Sequence, residues 1–387
     1  MQSFTFWNPT KIVFGQDTAG QVGKQAAKFG QKVLMVYGQS SIKKTGVYDL
    51  VKKSLEASSL QVVEFAGVKS NPVLSHVREG VQLAKEQQVD LIVAVGGGSV
   101  IDESKAIAAG ARTDGDVWDF FIDKATVRDA LPIVTVLTLA ATASEMNSGG
   151  VVTNEETGQK FNIGSPLLFP KVSILDPTLT YTVPANYTAY SGVDAICHLL
   201  EGYFTATDPN TPLQDRLVEA LVKTVMESTD RILVDPRDYE ARATMMWSAT
   251  LALNGLTPAG IGPFGFPNHM IEHSLSAIYD IAHGAGLSIV LPAWMAYTAR
   301  RAPARFARFG REVFGISEAD DQQAAAKGTA ALKAWFERIG SPTTLTAAGI
   351  PATDIPKIAA NAVMLAKKWR LDDYTEEVIG EILQLAR

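Results

Sequence analysis

The sequence predicts an α/β domain followed by an all-helical domain, and three observations lead there. Up to about residue 175, short apolar runs alternate with amphipathic segments of helix length, the pattern of βαβ units and a parallel sheet. Beyond the stretch from Asp176-Pro177 to Val183-Pro184, strand-like runs nearly vanish and a 3.6-residue periodicity takes over. The clearest apolar run, 91–95, ends in Gly96, Gly97 and Gly98 and leads into a helical pattern. The boundary therefore falls near 182, with an α/β domain over 1–182 and a helical domain over 183–387.

Each element has its own signal. In the first half, residues 32–38, 62–65, 91–95, 133–137 and 172–175 read as strands because they are apolar, short and bounded by turn residues. Residues 47–55, 74–86 and 101–111 read as the intervening helices. The opening stretch, 4–14, alternates in character and suits an edge strand able to pair with a second subunit. In the second half, 217–226, 239–253, 269–278, 286–301, 324–339 and 375–385 carry helical periodicity.

Composition narrows the function. A chain of 387 residues exceeds a single core and suggests about two or three domains. The net charge of -6 offers nothing to attract nucleic acid or an anionic membrane, so neither is expected as a partner. The one cysteine, Cys197, excludes an intrachain disulfide and suits a reducing cytosol. The N-terminus lacks a basic-then-apolar signal pattern. The longest apolar runs, such as 287–291, are far too short to span a bilayer. A cytoplasmic setting is the expectation.

Two loops bear on ligand binding. Glycines 96–98 let the backbone approach a ligand, and the helix that follows offers free N–H groups and a positive dipole end to a diphosphate. Ser99 is expected to cap that helix. The alternative is a plain tight turn, for which three glycines in a row would be costly. Thr138 to Asn147 follows the strand ending at Leu137 and brings small and hydroxyl side chains to the end of the sheet where open α/β folds bind ligands. A literal G-x-G-x-x-G also occurs at Gly260, Gly262 and Gly265. It follows a helical run and contains Pro263, so it reads as an inter-helix loop and not as a dinucleotide fingerprint.

The histidines are the sharpest signal. The chain holds five, and His198, His269, His273 and His283 all lie in the helical half; His76 reads as a surface residue. Asp194 and His198 are four apart, as are His269 and His273, so each pair shares a helix face. Asp194, His198, His269 and His283 make a set of imidazole and carboxylate groups suited to a transition metal, against the plainer reading of unrelated core histidines. Four protein ligands would fill a tetrahedral zinc shell. A five- or six-coordinate Fe(II) would keep a position open for substrate, so Fe(II) is favoured with zinc as the second candidate. No H-E-x-x-H is present. Phe264, Phe266 and Trp247 suggest an apolar pocket, with ordinary packing as the competing reading.

Together these stretches resemble the iron-dependent alcohol dehydrogenase family over essentially the whole chain. The matching segments are 96–102, 138–142, 175–177, 192–201, 269–273 and 283–292, in the family's order. Residues 37–46 and 245–255 are similar to its butanol-dehydrogenase-like branch, whose members reduce many aldehydes. The resemblance implies a Rossmann-like domain plus a helical domain in a dehydroquinate-synthase-like architecture, a primary alcohol or aldehyde as substrate, and a homodimer or larger assembly. It implies Asp194, His198, His269 and His283 as metal ligands, with His273 beside them and a candidate proton relay. It assigns Asn71, Gly97, Gly98, Ser99, Asp102, Thr138, Thr142, Asn147 and Lys160 to the cofactor. NAD-preferring relatives often carry an acidic residue after the first strand. Here Gly38, Gln39 and Ser40 stand there, with Lys43 close by, so NADP(H) is favoured over NAD(H) by charge. A glycerol-dehydrogenase-like polyol enzyme, a dehydroquinate-synthase-like enzyme and a non-catalytic metal- or nucleotide-binding protein are the competing readings.

Overall fold

The computed structural model describes residues 1–208 and 210–387. It divides into two compact units: one holds Trp7–Val183 with Pro236–Asn254, the other Met1–Phe6, Pro184–Asp235 and Gly255–Arg387.

The first unit is built on a six-stranded, all-parallel sheet in the order β1-β8-β5-β4-β2-β3. Its strands are β1 (Lys11–Phe14), β2 (Lys32–Gly38), β3 (Gln61–Val68), β4 (Leu91–Gly96), β5 (Ile133–Leu137) and β8 (Val172–Leu175). β4, β5 and β8 are buried at every residue, which is why they read as unbroken apolar runs. Alternate residues Val33, Met35, Tyr37, Val93, Val95, Val134, Val136, Val172 and Ile174 form one core with Val22 and Ala26 of α1 (Val22–Ala26) and Val51 and Leu55 of α3 (Val47–Ala57). The short α2 (Ser41–Lys44) follows β2, α4 (Leu74–Glu86) follows β3 and α5 (Gly98–Gly110) follows β4. β1 is an edge strand, as the alternating N-terminal stretch suggests, but it is only four residues long.

Two features of this unit lie outside the sequence reading. β6 (Gly149–Asn154) and β7 (Gln159–Gly164) form an antiparallel hairpin. The other is a helix from the second half of the chain, which belongs here and not with the helical domain.

The second unit is all-helical. It begins with α6 (Ala185–Thr205) and α7 (Pro212–Val234). The chain then departs for α8 (Tyr239–Ala252), the helix just mentioned, whose Thr250 hydroxyl donates to buried Glu145 of the first unit at 2.6 Å. It resumes with α9 (Pro267–Tyr279), α10 (His283–Ala299), α11 (Pro303–Phe314), α12 (Asp321–Arg338), α13 (Ile355–Lys368) and α14 (Glu376–Gln384). A single cut at 182 is thus corrected twice: α8 joins the α/β unit, and Met1–Phe6 joins the helical one. Chain periodicity reports that a helix exists but not which core buries its apolar face. α10 is buried on nearly all sides, the expected state of a helix that is apolar all round, and α6, α9 and α12 pack against it. Among the described residues no helix is long and apolar enough to cross a membrane.

Candidate functional site

The helical unit gathers the acid and histidine set. Asp194, His198 and Glu201 lie along one face of α6, at spacings of four and three. α9 starts with Pro267 at its first position, where a missing N–H is harmless, and carries His269, Glu272 and His273. α10 starts at His283 itself. Close approach of these helices depends on glycine. A Cβ on Gly284 would fall 2.2 Å from the Tyr190 carbonyl oxygen of α6, and one on Gly286 would fall 2.6 Å from Glu272 Oε1.

The result is convergence on one carboxylate oxygen. His198 Nδ1 lies 3.5 Å from Asp194 Oδ1, His269 Nε2 lies 3.7 Å from it, and His283 Nε2 lies 3.6 Å from it. These separations exceed hydrogen-bond length. Asp194 Oδ1, His198 Nδ1 and His269 Nε2 are buried and have no hydrogen-bond partner among the described residues. Buried polar atoms are normally satisfied, so three unpartnered ligand atoms clustered together are compatible with a bound ion. Two ligand atoms each about 2.1 Å from one ion at near-tetrahedral angles sit about 3.4 Å apart. The mutual spacing of Asp194, His198 and His269 therefore fits a single metal ion, with His283 Nε2 near the same carboxylate oxygen, and the donor set fits Fe or Zn.

Charge and orientation agree. Burial pushes the His198 imidazole down to about 3 and so keeps it neutral. Burial opposes ionisation of Asp194 too, but the surrounding histidines hold its carboxyl well below the usual range. At His269 burial lowers the pKa, yet the Asp194 and Glu201 carboxylates outweigh it and bring the group up to about 9. The Asp194 and Glu201 carboxylates thus favour positive charge in this pocket. Glu201 Oε1 accepts from His269 Nδ1 at 3.0 Å, and Glu272 Oε2 pairs with His283 Nδ1. Each carboxylate leaves the Nε2 of its histidine pointing inward, the way metal-ligating imidazoles are oriented. Glu272, His273 and His283 form a second close group, but Glu272 is already engaged by His283 and by the Ser276 hydroxyl.

The α/β unit gathers the other residues at the carboxyl edge of its sheet. β2 connects outward to β3, while β4 connects outward to β5 on the other side, so the strand order reverses between β2 and β4, the position where such sheets bind ligands. Gly38, Gln39 and Ser40 follow β2, and Gly97, Gly98 and Ser99 follow β4. Asn71 follows β3, and Thr138 follows β5. The Gly98 and Ser99 amides lie in the first turn of α5, where intrahelical partners do not exist. Lys43 holds its ammonium over the Tyr37 and Tyr48 rings, 5.3 and 5.0 Å from their centroids.

Models of two domain families match the chain: the iron-containing alcohol dehydrogenase domain over residues 9–177 and the C-terminal domain of the same family over 188–386. The chain belongs to the iron-containing alcohol dehydrogenase family. It is 46% identical to the probable NADH-dependent butanol dehydrogenase 1 of Bacillus subtilis, over 99% of each chain. Identity to the NADPH-dependent aldehyde reductase YqhD of Escherichia coli is 36%, over 92% of each. The solved NADH-dependent butanol dehydrogenase A of Thermotoga maritima superposes with a TM-score of 0.95 at 47% identity, covering 100% of this chain and 99% of that one. The dehydroquinate-synthase-like architecture agrees with these neighbours. The protein is therefore an alcohol and aldehyde oxidoreductase that uses a nicotinamide cofactor.

Within this iron-containing alcohol dehydrogenase, several residues that the resemblance assigns to the cofactor have protein partners of their own. Ser99 does not cap α5: Gly97 occupies the N-cap, and the Ser99 hydroxyl donates to the Ser70 carbonyl. Gly98 is required by packing as well, because a Cβ there would fall 2.3 Å from Thr142 Oγ1. Asp102 accepts from the Ser144 hydroxyl and, at 3.0 Å, from the Val151 amide, tying α5 to β6. Asn147 Oδ1 accepts from Lys105 Nζ at 2.9 Å, and Lys105 is a fully buried lysine whose pKa burial lowers to about 8. Lys160 donates to Asn71 at 3.1 Å inside the unit. The G-x-G-x-x-G glycines lie between α8 and α9, with Gly260 and Gly262 at positive φ. His76 is not a plain surface residue: it stacks on Phe65 and pairs with buried Glu103. Trp247, on α8, packs edge-on against Phe14 of β1. The sequence reading missed the orienting roles of Glu201 and Glu272. The available signal was that Glu201 continues the Asp194–His198 face of α6 and that Glu272 adjoins His273.

Proposed function

We propose that this protein binds one divalent metal, Fe(II) in preference to Zn, through Asp194, His198, His269 and His283, and reduces aldehydes to primary alcohols with NADPH. The observation that carries the reading is the convergence of three buried, unpartnered ligand atoms. When bound, the metal supplies Lewis acidity toward a carbonyl oxygen, and the nicotinamide supplies the hydride. The chain's own part is placement. Glu201 and Glu272 fix the imidazoles, and the buried cluster excludes bulk water. His273 stands beside His283 with ring centroids 5.7 Å apart and is proposed to relay the proton taken up on reduction. Gly38, Gln39, Ser40, Lys43, Asn71, Gly97, Gly98, Ser99, Asp102, Thr138, Thr142, Asn147 and Lys160 are proposed to bind or brace the dinucleotide, with the diphosphate on the first turn of α5.

Cofactor choice sets two supports against each other. The β2 loop has no carboxylate to repel a 2′-phosphate and keeps the Lys43 charge nearby, which favours NADPH. The Bacillus and Thermotoga relatives carry NADH in their names, while the Escherichia relative carries NADPH. The loop argument is specific to this chain, and we retain it. A homodimer or larger assembly is proposed as well, supported by the edge strand β1 and by Phe4 and Trp7, exposed at 52% and 60%. The buried Cys197 thiol suits the proposed cytoplasmic setting.

The test is nicotinamide absorbance with butanal, comparing NADPH and NADH on protein loaded with Fe(II). Faster loss with NADPH supports the proposal. Loss with NADH alone overturns the cofactor choice only. No loss with either, on protein shown to hold metal, overturns aldehyde reduction and turns attention to polyols.

A further inference from the structure

The metal cluster is closed on most sides. The Asp194, His198 and His269 side chains are 4–6% exposed, but that of His283 is 23% exposed. His283 is therefore the most accessible member of the cluster. Next to His283 stands His273, and next to His273 stands Trp369, with ring centroids 5.6 Å apart. Phe266 closes the arc: its ring is 5.7 Å from that of His269 and 6.3 Å from that of Trp369. Phe264 extends it, 5.4 Å from Phe266. The three rings are only partly buried or exposed, although they flank histidines that are nearly inaccessible.

Both inner rings are held by helix ends. Phe266 is the N-cap of α9 and is followed by Pro267. Trp369 is the C-cap of α13, its amide bonded to the Leu365 carbonyl at 2.9 Å. The next residue, Arg370, has φ +57°, and the Leu371 amide reaches back to the Ala366 carbonyl at 2.9 Å, a helix-ending turn that normally uses glycine. Strain of this kind persists where the surroundings dictate the conformation. Here the turn ends α13 at Trp369.

We infer that Trp369 and Phe266 form the wall along which the substrate's carbon chain lies, and that they select aldehydes with an unsubstituted apolar chain over polyhydroxylated ones. The inference rests on the aldehyde-reductase reading and deepens it. Aromatic rings beside these histidines reward apolar surface. A hydroxyl pressed against them loses its water without gaining a partner. That chemistry separates this chain from a polyol enzyme of the same architecture.

The test is kcat/KM for ethanal, butanal, hexanal and glyceraldehyde with wild-type protein, Trp369→Ala, Trp369→Phe and Phe266→Ala, each checked for metal content and thermal unfolding. Wild type should prefer hexanal to ethanal and discriminate against glyceraldehyde. Trp369→Ala should lower the hexanal-to-ethanal ratio about tenfold while ethanal turnover survives, and Trp369→Phe should recover most of the ratio. Binding of hexanamide, an unreactive carbonyl compound, should weaken about tenfold in Trp369→Ala by calorimetry without cofactor. If Trp369→Ala does not fold, Phe266→Ala reads the same wall. A wild type that reduces aldehydes while folded, metal-loaded variants keep the ratio overturns the inference alone. A wild type inactive on every aldehyde overturns the function reading and this inference with it.

Discussion

Glu201 is the residue whose replacement tests the proposed metal centre most directly. It is fully buried and accepts four hydrogen bonds: from the Asn268 amide at 2.9 Å, Asn268 Nδ2 at 2.9 Å, the His269 amide at 3.0 Å and His269 Nδ1 at 3.0 Å. Alanine would strand four buried donors at about 1–3 kcal/mol each. The sum, about 4–12 kcal/mol, rivals the whole stability of a typical domain, so that variant reports only on folding. Glutamine is the informative change. Its oxygen can take the place of Oε1, which serves three of the donors, and its amide nitrogen then faces Asn268. The Asn268 Oδ1 has no partner, so rotating that side-chain amide presents an acceptor and restores the fourth bond. What Glu201→Gln removes is the charge that orients and enriches the His269 imidazole. Loss of such an orienting carboxylate costs about 10–100-fold in metal affinity, or about 1.4–2.7 kcal/mol. The assay is competition for Fe(II) or Zn against a chromogenic chelator, with thermal unfolding of the metal-free protein as control. Unchanged affinity in a variant that unfolds like wild type would refute the claim that Glu201 acts through His269.

Three further outcomes follow from geometry and charge. Gly284→Ala places a Cβ 2.2 Å from a backbone oxygen of α6 that no rotamer change can move. It should cost about 3 kcal/mol in urea unfolding and reduce metal binding because His283 is adjacent, whereas Gly164→Ala, with nothing within 4 Å, should be nearly silent. Arg370→Gly relieves a positive φ at the end of α13 and should stabilise by about 1 kcal/mol; a destabilised variant would show that the arginine side chain contributes more than its backbone costs. Glu64 feels burial raising its pKa, but hydrogen bonds from Lys52, Tyr48 and Tyr37 bring it down to about 2. A depressed carboxylate stabilises above its unfolded pKa and loses that contribution as pH falls toward its folded one. With the side chain 32% exposed, Glu64→Gln should therefore cost about 1–2 kcal/mol at pH 7, shrinking between about pH 4.5 and 2. An equal cost at pH 7 and pH 3 would exclude this origin.

Much of the architecture was legible in the chain because its signals are local. A fully buried parallel strand such as 91–95 must be apolar throughout, and the glycines after it mark a close backbone turn. Asp194 and His198 declare a shared face through their spacing alone. The hairpin β6–β7 was not legible: its strands begin or end in glycine and carry Asn154, Gln159, Lys160 and Asn162, so they lack a strand's apolar alternation. α13 is equally hard to read from the chain, because alanines 359, 362 and 366 supply much of its buried face, a weak hydrophobic signal.

By itself the sequence determined the fold class, the family and the set of acid and histidine residues, since each depends on residue type and spacing along the chain. Only the tertiary structure decided which atoms meet. It brings α6, α9 and α10 close enough for three imidazoles to face one carboxylate oxygen, through glycines whose absent side chains permit the approach. It assigns α8 to the α/β unit although its periodicity matches the helices around it. It sets Trp369, distant in sequence from every histidine, beside His273. These outcomes depend on packing between segments far apart in the chain, and a one-dimensional pattern holds no record of which surfaces will be buried together.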